Sequence, residues 1–285
     1  MPLVTTKVIL DKANRKGCAV PAFDVIDHAS AEGVVEAAQA VERPVILMFP
    51  EAALNLVNHD AFFPFLVRLA ERASVPVALE LDHGQKLEAI MKAIQSGFTA
   101  VMIDGSSFPL SENIALTKKI TEIAHAAGVC VEAEIGHVAG GEGAFDGSYV
   151  DTSLFTRPTE ARKFVDETGV DALAVAIGTV HGVYKGEPKL NFELLGEIKR
   201  TVSLPLVLHG GSGVSEEDFI KCIKGGINKI NLFTEISMAA VGQSLIYCKQ
   251  KDNKLHFVEM ILAGKQKVFK IASKYLETFG NVGKG

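Results

Sequence analysis

Short apolar, β-branched runs alternate along the chain with longer segments whose apolar residues recur every three or four positions. The short runs predict strands, and their continuous apolar character indicates a parallel sheet that is buried on both faces. The predicted strands are Ala19–Phe23, Val45–Met48, Val77–Leu81, Ala100–Ile103, Val129–Ala133, Ala172–Ala176, Leu206–Leu208 and Ile227–Ile230. The predicted helices are Ala29–Val41, Phe62–Ala73, Leu87–Gln95, Ser111–Ala126, Pro158–Thr168, Phe192–Thr201 and Glu216–Lys224.

Eight strand–helix units follow one another without a break in composition, which predicts a single α/β domain over residues 1–285, a closed (β/α)8 TIM barrel. A doubly wound open sheet is the alternative. The stretch from Thr234 to Phe279 is predominantly helical and longer than one barrel helix requires. We therefore expect a helical C-terminal extension that is available for dimer contacts.

Composition excludes several classes of protein. A net charge of −5 gives no basic surface for nucleic acid. The N-terminal segment has no charged region followed by an apolar run, and no apolar stretch approaches the roughly 20 residues that span a bilayer. Four cysteines are scattered without a CxxC pair, and Cys18 and Cys130 lie in apolar runs, so we expect buried free thiols. A cytoplasmic protein without membrane or nucleic-acid partners is the resulting expectation.

Ionisable residues concentrate where a barrel places its chemistry, at the carboxyl ends of the strands. Three of the eight histidines lie at the ends of three different predicted strands and should converge on one mouth of the barrel. Three neutral imidazoles suit zinc and leave the ion its full charge as a Lewis acid. The residues at the strand ends are Asp24, Asp82, His83, Asp104, Glu132, Glu134, His181, His209 and Asn231.

A second pattern is typical of phosphate binding. Gly210-Gly211-Ser212-Gly213 exposes backbone N–H groups directly before a predicted helix, and Asn231-Leu232-Phe233-Thr234 opens the next helix in the same way. Barrels frequently bind phosphate between the loops after strands seven and eight. Lys185, after His181-Gly182, could add a positive charge. A long Gly-rich loop, Gly136–Asp151, follows strand five and is expected to act as a mobile lid.

Six blocks in this order resemble the class II fructose-bisphosphate/tagatose-bisphosphate aldolase family. The similarity runs from the N-terminal TTKVILDKANRKGCAVPAFD to about residue 240 and continues more loosely to the C-terminus. The blocks are LDHG, MIDGS, VEAEIG, AIGTVHGVY, VLHGGSG and KINLFTE. The resemblance implies a zinc-dependent lyase that reversibly cleaves a ketose phosphate, or bisphosphate, to dihydroxyacetone phosphate and an aldehyde. It also implies a homodimer or homotetramer.

The resemblance assigns roles residue by residue. Zinc would be bound by His83, His181 and His209. Glu134 and Asp104 match positions that in some relatives contact the metal in a resting or second-metal arrangement, so a second divalent or a monovalent cation fits the pattern. Two further residues match catalytic positions: Asp82 as the proton donor, and Glu142 in the expected mobile loop as the group that moves a proton at the enediolate carbon. On chemical grounds, Asn231 can donate a hydrogen bond to the oxyanion. The phosphate would lie against Gly182, Gly210, Gly211, Ser212, Asn231, Phe233 and Thr234.

Three positions depart from the family pattern. Many relatives have Asn at Asp24, a small hydroxyl residue near Phe49-Pro50 and a small or polar residue at Phe233. A carboxylate at Asp24 would repel a phosphate nearby. A ketose whose distal end is modified or not phosphorylated is therefore an alternative to fructose 1,6-bisphosphate, unless Asp24 is paired locally.

Three other readings compete. A Schiff-base aldolase needs a reactive lysine at a strand end, but the sixth strand has none and Lys229 lies within the eighth. A metal-dependent hydrolase would typically show an HxH pair on the first strand, and AVPAFDV has none. A non-catalytic barrel subunit of an aldolase system is the alternative from a different class, and a complete set of Asp82, Glu142 and three histidines argues against it.

Overall fold

The computed structural model describes residues 2–140, 149–186, 188–252 and 254–283. Within these residues, eight parallel strands close into a barrel in chain order, and the first strand pairs with the eighth. This closure confirms the predicted TIM barrel and makes the open-sheet alternative wrong. The strands are β1 (Val20–Asp24), β2 (Val45–Pro50), β3 (Val77–Gly84), β4 (Ala100–Ile103), β5 (Cys130–Ile135), β6 (Ala172–Val175), β7 (Leu206–Leu208) and β8 (Ile227–Leu232).

Helices cover the outside of the barrel and its N-terminal end. Four of them have the predicted bounds, and the other predicted helices differ by one to three residues at an end. The helices are α1 (Thr6–Lys16), α2 (His28–Ala40), α3 (His59–Arg72), α4 (Leu87–Gln95), α5 (Leu110–Ala126), α6 (Pro158–Thr168), α7 (Phe192–Thr201), α8 (Glu216–Lys224), α9 (Thr234–Gln250) and α10 (Phe257–Asn281).

Helix α1 was not among the predicted elements, and it closes the N-terminal end of the barrel. Its Ile9, Leu10 and Ala13 are buried against the side chains that fill the lower part of the barrel interior. The helix ends at Gly17, whose left-handed backbone (φ 63°) suits a residue without a Cβ. This end of the barrel is therefore closed by apolar packing.

The strands present alternate side chains to two cores. Outward-facing residues pack against the surrounding helices in one large cluster. Inward-facing residues such as Ala22, Ile46, Ala78 and Val207 form a second, smaller cluster inside the barrel. Successive side chains of a strand point to opposite faces, so every second residue points into the barrel. At the carboxyl ends of the strands these inward-facing residues are polar, and they line the mouth of the barrel.

The C-terminal extension consists of α9 and α10, which confirms the prediction that this stretch is helical and exceeds one barrel helix. Helix α10 packs against both α2 and α9. Lys265 of α10 contacts the carboxylates of Glu32 and Glu36 of α2, at 2.7 and 2.8 Å.

Of the two thiols expected to be buried, Cys130 is buried and Cys18 is half-buried. None of the helices in the described ranges has the length and apolar character to cross a membrane.

Candidate active site

Three histidine rings meet at the mouth of the barrel. The ring centroids of His83 and His209 are 4.7 Å apart, those of His83 and His181 are 4.8 Å apart, and those of His181 and His209 are 5.7 Å apart. Each of these residues and Glu134 offers one ligand atom, and the four atoms lie within 4.8 Å of one another. The structure thus brings together residues from two strands, β3 and β5, and from the loops after β6 and β7.

Strand β3 presents two consecutive residues, Asp82 and His83, to the same site. In a regular strand they would point to opposite faces, but the pairing register of β3 with β4 shifts between Leu81 and Gly84. The backbone of His83 is left-handed (φ 46°), which is strained for a residue with a Cβ. Strain of this kind costs on the order of 1–3 kcal/mol and is characteristic of functional sites.

The His83 ring is oriented by Asp104, which follows β4. His83 Nδ1 lies 2.9 Å from Asp104 Oδ2, so the other ring nitrogen, Nε2, faces the centre of the cluster. Ser106 donates its hydroxyl to Asp104 Oδ1 at 2.7 Å. Burial opposes ionisation of Asp104, but the hydrogen bonds from His83 and Ser106 hold its pKa below the usual range. Asp104 is therefore an ionised partner of the His83 ring, an arrangement that is common around zinc-binding histidines.

The His209 ring is held from the opposite side. Its Nε2 lies 2.9 Å from Glu132 Oε1, inside the barrel. Its Nδ1 lies 3.0 Å from His83 Nε2 and 3.5 Å from Glu134 Oε2. Two nitrogens of a tetrahedral zinc site are separated by roughly 3.3 Å when the Zn–N bonds are about 2.0–2.1 Å. The spacing of His83 and His209 therefore fits a divalent ion of this kind.

Glu134 completes the set with a carboxylate. It is fully enclosed, and its Oε1 accepts the backbone N–H of Val138 at 2.9 Å. Burial, assisted by the nearby charge of Asp104, raises the pKa of Glu134 to about 8. A bound cation would reverse this effect by favouring the carboxylate. A buried carboxyl group that faces three imidazoles is a suitable set of ligands for a metal ion, whereas four polar groups of this kind do not suit an apolar interior.

Asp82 lies beside this cluster and contacts the eighth strand. Its side chain is fully buried, and Oδ1 accepts a hydrogen bond from Asn231 Nδ2 at 3.2 Å. Asp82 Oδ2 is 3.8 Å from His83 Nε2. The carboxylate therefore sits within reach of anything bound to the histidines, which is the geometry that a proton donor and acceptor requires.

The two loops predicted to bind phosphate are neighbours. Gly211 N–H donates to the Asn231 carbonyl at 3.1 Å, and the backbone N–H of Glu235 donates to Ser212 Oγ at 3.1 Å. A Cβ on Gly210 would collide with the Val180 carbonyl, so only glycine fits there. Because the Gly211 N–H is already used within the protein, Gly211 supports the shape of the loop and does not direct this donor at a ligand.

A cavity of about 360 Å³ opens in front of the histidine cluster. His83, Asp104, Glu134 and His181 line its floor, and none of the predicted phosphate-binding residues is among the described residues that line it. At the rim of the cavity, Glu51 connects the segment after β2 to the loop after β3. Its carboxylate accepts the backbone N–H groups of Gln85 and Lys86 at 2.6 and 3.1 Å. This volume is in the usual range for small-molecule sites.

The remaining predicted residues lie in different environments. Asp24 is buried at the end of β1, Gly182 is buried, and Thr234 is buried at the start of α9. Phe233 is half-buried just before that helix. Lys185 is exposed, and its Nζ lies 5.5 Å above the ring of Tyr149. Glu142, the expected catalytic residue of the predicted lid, lies outside the described residues.

The pair Phe49-Pro50 divides between two surfaces. Phe49 packs against Phe62 and Phe63 of α3, with ring centroids 6.0 and 5.0 Å away, so its side chain points away from the barrel interior. Pro50 lines the cavity. The departure from the family pattern at this pair therefore reaches the cavity through Pro50 only.

Sequence reasoning missed several residues that shape the site. Ser106 hydrogen-bonds Asp104, and its Oγ lies 2.9 Å from Nδ1 of His137, which also lines the cavity. Tyr184 donates to the Gly210 carbonyl at 2.7 Å and accepts the Val180 N–H at 3.2 Å, which ties the loops after β6 and β7 together. Ser106 and Tyr184 belong to the blocks MIDGS and AIGTVHGVY, so their place beside Asp104 and His181 was the available signal.

Comparisons with known proteins agree on one family. The sequence model described as fructose-bisphosphate aldolase class-II matches residues 4–284. A fructose-bisphosphate aldolase of Staphylococcus aureus (strain Mu50 / ATCC 700699) is 43% identical over 246 residues, which are 84% of each chain. The crystal structure of the YdjI aldolase from Escherichia coli K12 superposes with a TM-score of 0.87 at 35% identity and covers 99% of each chain. A putative fructose-1,6-biphosphate aldolase from Coccidioides immitis has a TM-score of 0.84 at 30% identity, covering 97% of this chain and 96% of that one.

Proposed function

The chain belongs to the class II fructose-bisphosphate aldolase family and is a ketose-phosphate aldolase, a carbon–carbon lyase; from this premise we propose that it uses zinc and releases dihydroxyacetone phosphate and an aldehyde. The proposal treats residues 1–285 as one catalytic domain. One observation carries it: the convergence of His83, His181, His209 and Glu134, with Asp82 beside them.

The histidines would hold the ion, with Glu134 and Asp104 available as further oxygen ligands. Zinc suits this set because imidazole nitrogen is its common ligand and three neutral rings leave its charge undiminished. When bound, zinc supplies a Lewis acid that withdraws electrons from the substrate carbonyl. Asp104 and Glu134 also allow a second cation close to the first.

Asp82 is the residue proposed to move the proton at the bond that breaks. During cleavage it accepts the proton of the hydroxyl on the carbon that becomes the aldehyde, and during synthesis it returns that proton. Asn231 holds Asp82 through its amide and can donate a hydrogen bond to the oxygen where negative charge develops. Glu142 is proposed to exchange the proton on the carbon of the dihydroxyacetone phosphate half.

The phosphate of the substrate is proposed to lie between the loops after β7 and β8. Helix α9 begins at Thr234 and its N-terminal N–H groups attract anions. Gly182, Gly210, Gly211, Ser212, Asn231 and Phe233 would surround the phosphate, and Lys185 would approach from the neighbouring loop. Gly211 contributes through loop shape, since its own N–H binds Asn231.

The distal half of the substrate is proposed to differ from that of fructose 1,6-bisphosphate. Asp24 ends β1 inside the mouth and is buried, so a carboxylate there disfavours a nearby phosphate by like-charge repulsion. A ketose whose far end is unphosphorylated or otherwise modified fits this charge. The alternative within the family is the bisphosphate itself, with Asp24 neutralised by its surroundings.

A cleavage screen tests the function and the specificity together. The purified protein is assayed alone on fructose, tagatose, sulfo- and deoxy-ketose phosphates, with a coupled enzyme that consumes the released triose phosphate. We expect cleavage that stops after metal removal by a chelator and returns with Zn²⁺. Activity that survives complete metal removal would contradict the mechanism, and inactivity on every substrate would favour a non-catalytic subunit.

The substitution Asp24→Asn, run in the same screen, tests the distal-end proposal. We expect the ranking of substrates to move towards the bisphosphates, because the substitution removes a negative charge and keeps the side-chain shape. Glu51→Gln at the cavity rim is the control for a general effect of lost charge. An unchanged ranking in Asp24→Asn would remove Asp24 as a specificity determinant.

The surface of α9 and the start of α10 supports a homo-oligomer. Residues Ile236 to Cys248 contain no charged side chain. Large exposed apolar residues cluster on these two helices: Met238, Val241, Leu245, Ile246, Phe257, Val258 and Leu262. A standard interface buries roughly 800 Å² per partner, and an apolar surface that two neighbouring helices share is suited to such a contact. We propose that two copies meet here in a symmetric dimer, which can pair further to a tetramer.

Sedimentation velocity tests this contact. Leu245→Glu places a charge in the centre of the surface and should shift the protein to monomers. Val8→Glu, on the equally exposed face of α1, is the matched control and should leave the oligomer intact. A wild-type protein that sediments as a monomer at micromolar concentration would contradict the proposal.

We also propose a cytoplasmic location for the protein, because a reducing compartment suits its free thiols.

A further inference from the structure

Three ionisable residues, Glu80, Glu132 and Lys229, fill one layer of the barrel interior directly below the histidine cluster. Lys229 Nζ lies 2.6 Å from Glu80 Oε2 and 2.7 Å from Glu132 Oε2. All three side chains are at most 2% exposed. Removing an ion from water is unfavourable even after the protein relaxes, so three buried ionisable groups beside the apolar core of the barrel require a reason.

This layer is connected to the proposed metal site through one side chain. Glu132 has two oxygens: Oε2 contacts Lys229, and Oε1 lies 2.9 Å from His209 Nε2. The other nitrogen of the same ring, Nδ1, faces His83 and Glu134. His209 is thus held between the charged layer on one side and the metal ligands on the other.

We propose that Glu132 and Lys229 are positioning residues that fix the tautomer of His209 so that its Nδ1 presents a lone pair to the metal. The proposal rests on the metal site of the proposed function. An ammonium group only donates hydrogen bonds, so Lys229 must be met by a carboxylate oxygen. Glu132 meets it with Oε2 and accepts the Nε2–H of His209 with Oε1. A ring that carries its proton on Nε2 has its lone pair on Nδ1.

Glu80 has a different part in the layer. Burial, together with the charge of Glu132, raises the pKa of Glu80 to about 8. A neutral Glu80 leaves one ammonium and one carboxylate, Lys229 and Glu132, so the layer carries no net charge. Glu80 therefore supports Lys229 without contacting His209, which makes it the natural control for Glu132.

The tautomer can be measured without any substitution. The zinc-loaded wild-type protein, labelled with ¹⁵N-histidine, is examined by long-range ¹H–¹⁵N NMR. We expect His209 to carry its proton on Nε2 and to bind the ion through Nδ1, with the signal assigned by its loss in His209→Gln. A proton on Nδ1, or coordination through Nε2, would overturn the proposal.

Glu132→Gln tests the role of the carboxylate by creating a conflict. Glutamine has one acceptor oxygen, and Lys229 and His209 both need it. When the oxygen faces Lys229, the amide NH₂ faces His209 Nε2 and drives the proton to Nδ1, towards the metal. We expect zinc binding, measured by competition with a chromophoric chelator, to weaken by about 10- to 100-fold. The visible spectrum of the Co²⁺-loaded protein should change as well.

Glu80→Gln is the matched control, because its oxygen can accept from Lys229 while its NH₂ donates to Glu132. We expect wild-type zinc affinity and an unchanged Co²⁺ spectrum. Equal losses in Glu80→Gln and Glu132→Gln would mean that the layer acts only through general stability, which would overturn the proposal. Wild-type zinc affinity in Glu132→Gln would overturn it too.

The double variant Glu132→Gln/Lys229→Met gives the sharpest test. Without the ammonium group, the glutamine oxygen is free to accept from His209 Nε2, so we expect most of the lost zinc affinity to return. This non-additive recovery cannot come from a purely structural role. Weak binding in a folded double variant would contradict the proposal, even if Glu132→Gln alone fails to fold.

The outcome is separable from the proposed function. A protein that binds zinc with the expected tautomer but cleaves no ketose phosphate would refute the aldolase mechanism and leave this role of Glu132 and Lys229 intact.

Discussion

The two ends of the barrel are built from the same strands and have opposite chemistry. At the N-terminal end, Ile9 and Leu10 of α1 pack on small and branched apolar side chains such as Ala78. At the carboxyl end, histidines and carboxylates face a cavity. Stability and function therefore occupy separate layers of one interior, and the layer of Glu80, Glu132 and Lys229 lies between them.

The largest effect is expected from a change at the mouth. His181→Ala removes a proposed metal ligand, so we expect loss of bound zinc and a fall in kcat/KM of about 10⁴-fold or more, since a Lewis-acid metal contributes several kcal/mol. His125→Ala is the control, because His125 is a half-exposed histidine near the end of α5, far from the mouth. Metal content and cleavage kinetics check both variants. Full zinc occupancy in His181→Ala would contradict the ligand assignment.

Asp82→Asn should have the next largest effect. The substitution keeps the size of the side chain but cannot accept a proton, so we expect kcat to fall between about 10²- and 10⁴-fold. Zinc content should remain at the wild-type level, because the three histidines are untouched. Stopped-flow cleavage kinetics and metal analysis provide the two readouts. Normal kcat, or loss of the metal, would show that Asp82 acts in another way.

At the opposite end, Leu10→Ala should separate stability from function. Leu10 is buried where α1 closes the barrel, and its truncation should lower the free energy of unfolding by about 2–5 kcal/mol. Cleavage rate and zinc affinity should stay at wild-type values below the unfolding transition. Val8→Ala, exposed on the same helix, should change stability little. A large loss of kcat in folded Leu10→Ala would show that the two ends are coupled.

The smallest effect is expected in the layer of Glu80, Glu132 and Lys229, and it depends on pH. The pKa of Glu80 is raised from 4.5 to about 8 by burial and by Glu132, so the folded protein retains a proton that the unfolded chain releases. The stabilisation from this proton is complete below pH about 4.5 and disappears as the pH rises through about 8. Glu80→Gln lacks this titration. Denaturant unfolding of the metal-free proteins at several pH values should therefore show a decline for wild type relative to Glu80→Gln.

A parallel decline of both proteins would contradict this assignment. Glu134, whose pKa is also raised, titrates in the same range in both variants, so its contribution cancels in the difference. The comparison between the two proteins isolates Glu80.

Much of the fold followed from periodicity. Continuous apolar runs predicted the strands and three- to four-residue steps predicted the helices, because each element buries a regular face. Helix α1 was not predicted, because its buried Ile9, Leu10 and Ala13 close an end of the barrel that exists only after the strands have assembled. Strand β3 continued to Gly84, beyond the predicted end, because the shift in register keeps the segment paired with β4.

The site was predictable as a collection of residues and not as a set of contacts. His83 and His209 are 126 positions apart along the chain. Each lies at a strand end, so the sequence was enough to predict that their side chains lie close together at the mouth of the barrel. Glu132 and Lys229 are 97 positions apart. From the sequence, Glu132 was grouped with the residues at the strand ends, whereas Lys229 lay within the eighth predicted strand. No pattern in the sequence could state that they pair, because strand closure alone brings β5 and β8 to face each other across the interior.

The amino-acid sequence by itself determined which segments become strands, which polar residues stand at their ends and which family the blocks resemble, because these depend on local pattern and residue chemistry. The tertiary structure decided the orientation of His83 through a strained backbone, the contacts that Glu132 and Asp104 make with the two rings, and the closure of the barrel by α1. Those features depend on distances between remote segments, and such distances exist only once the barrel has closed.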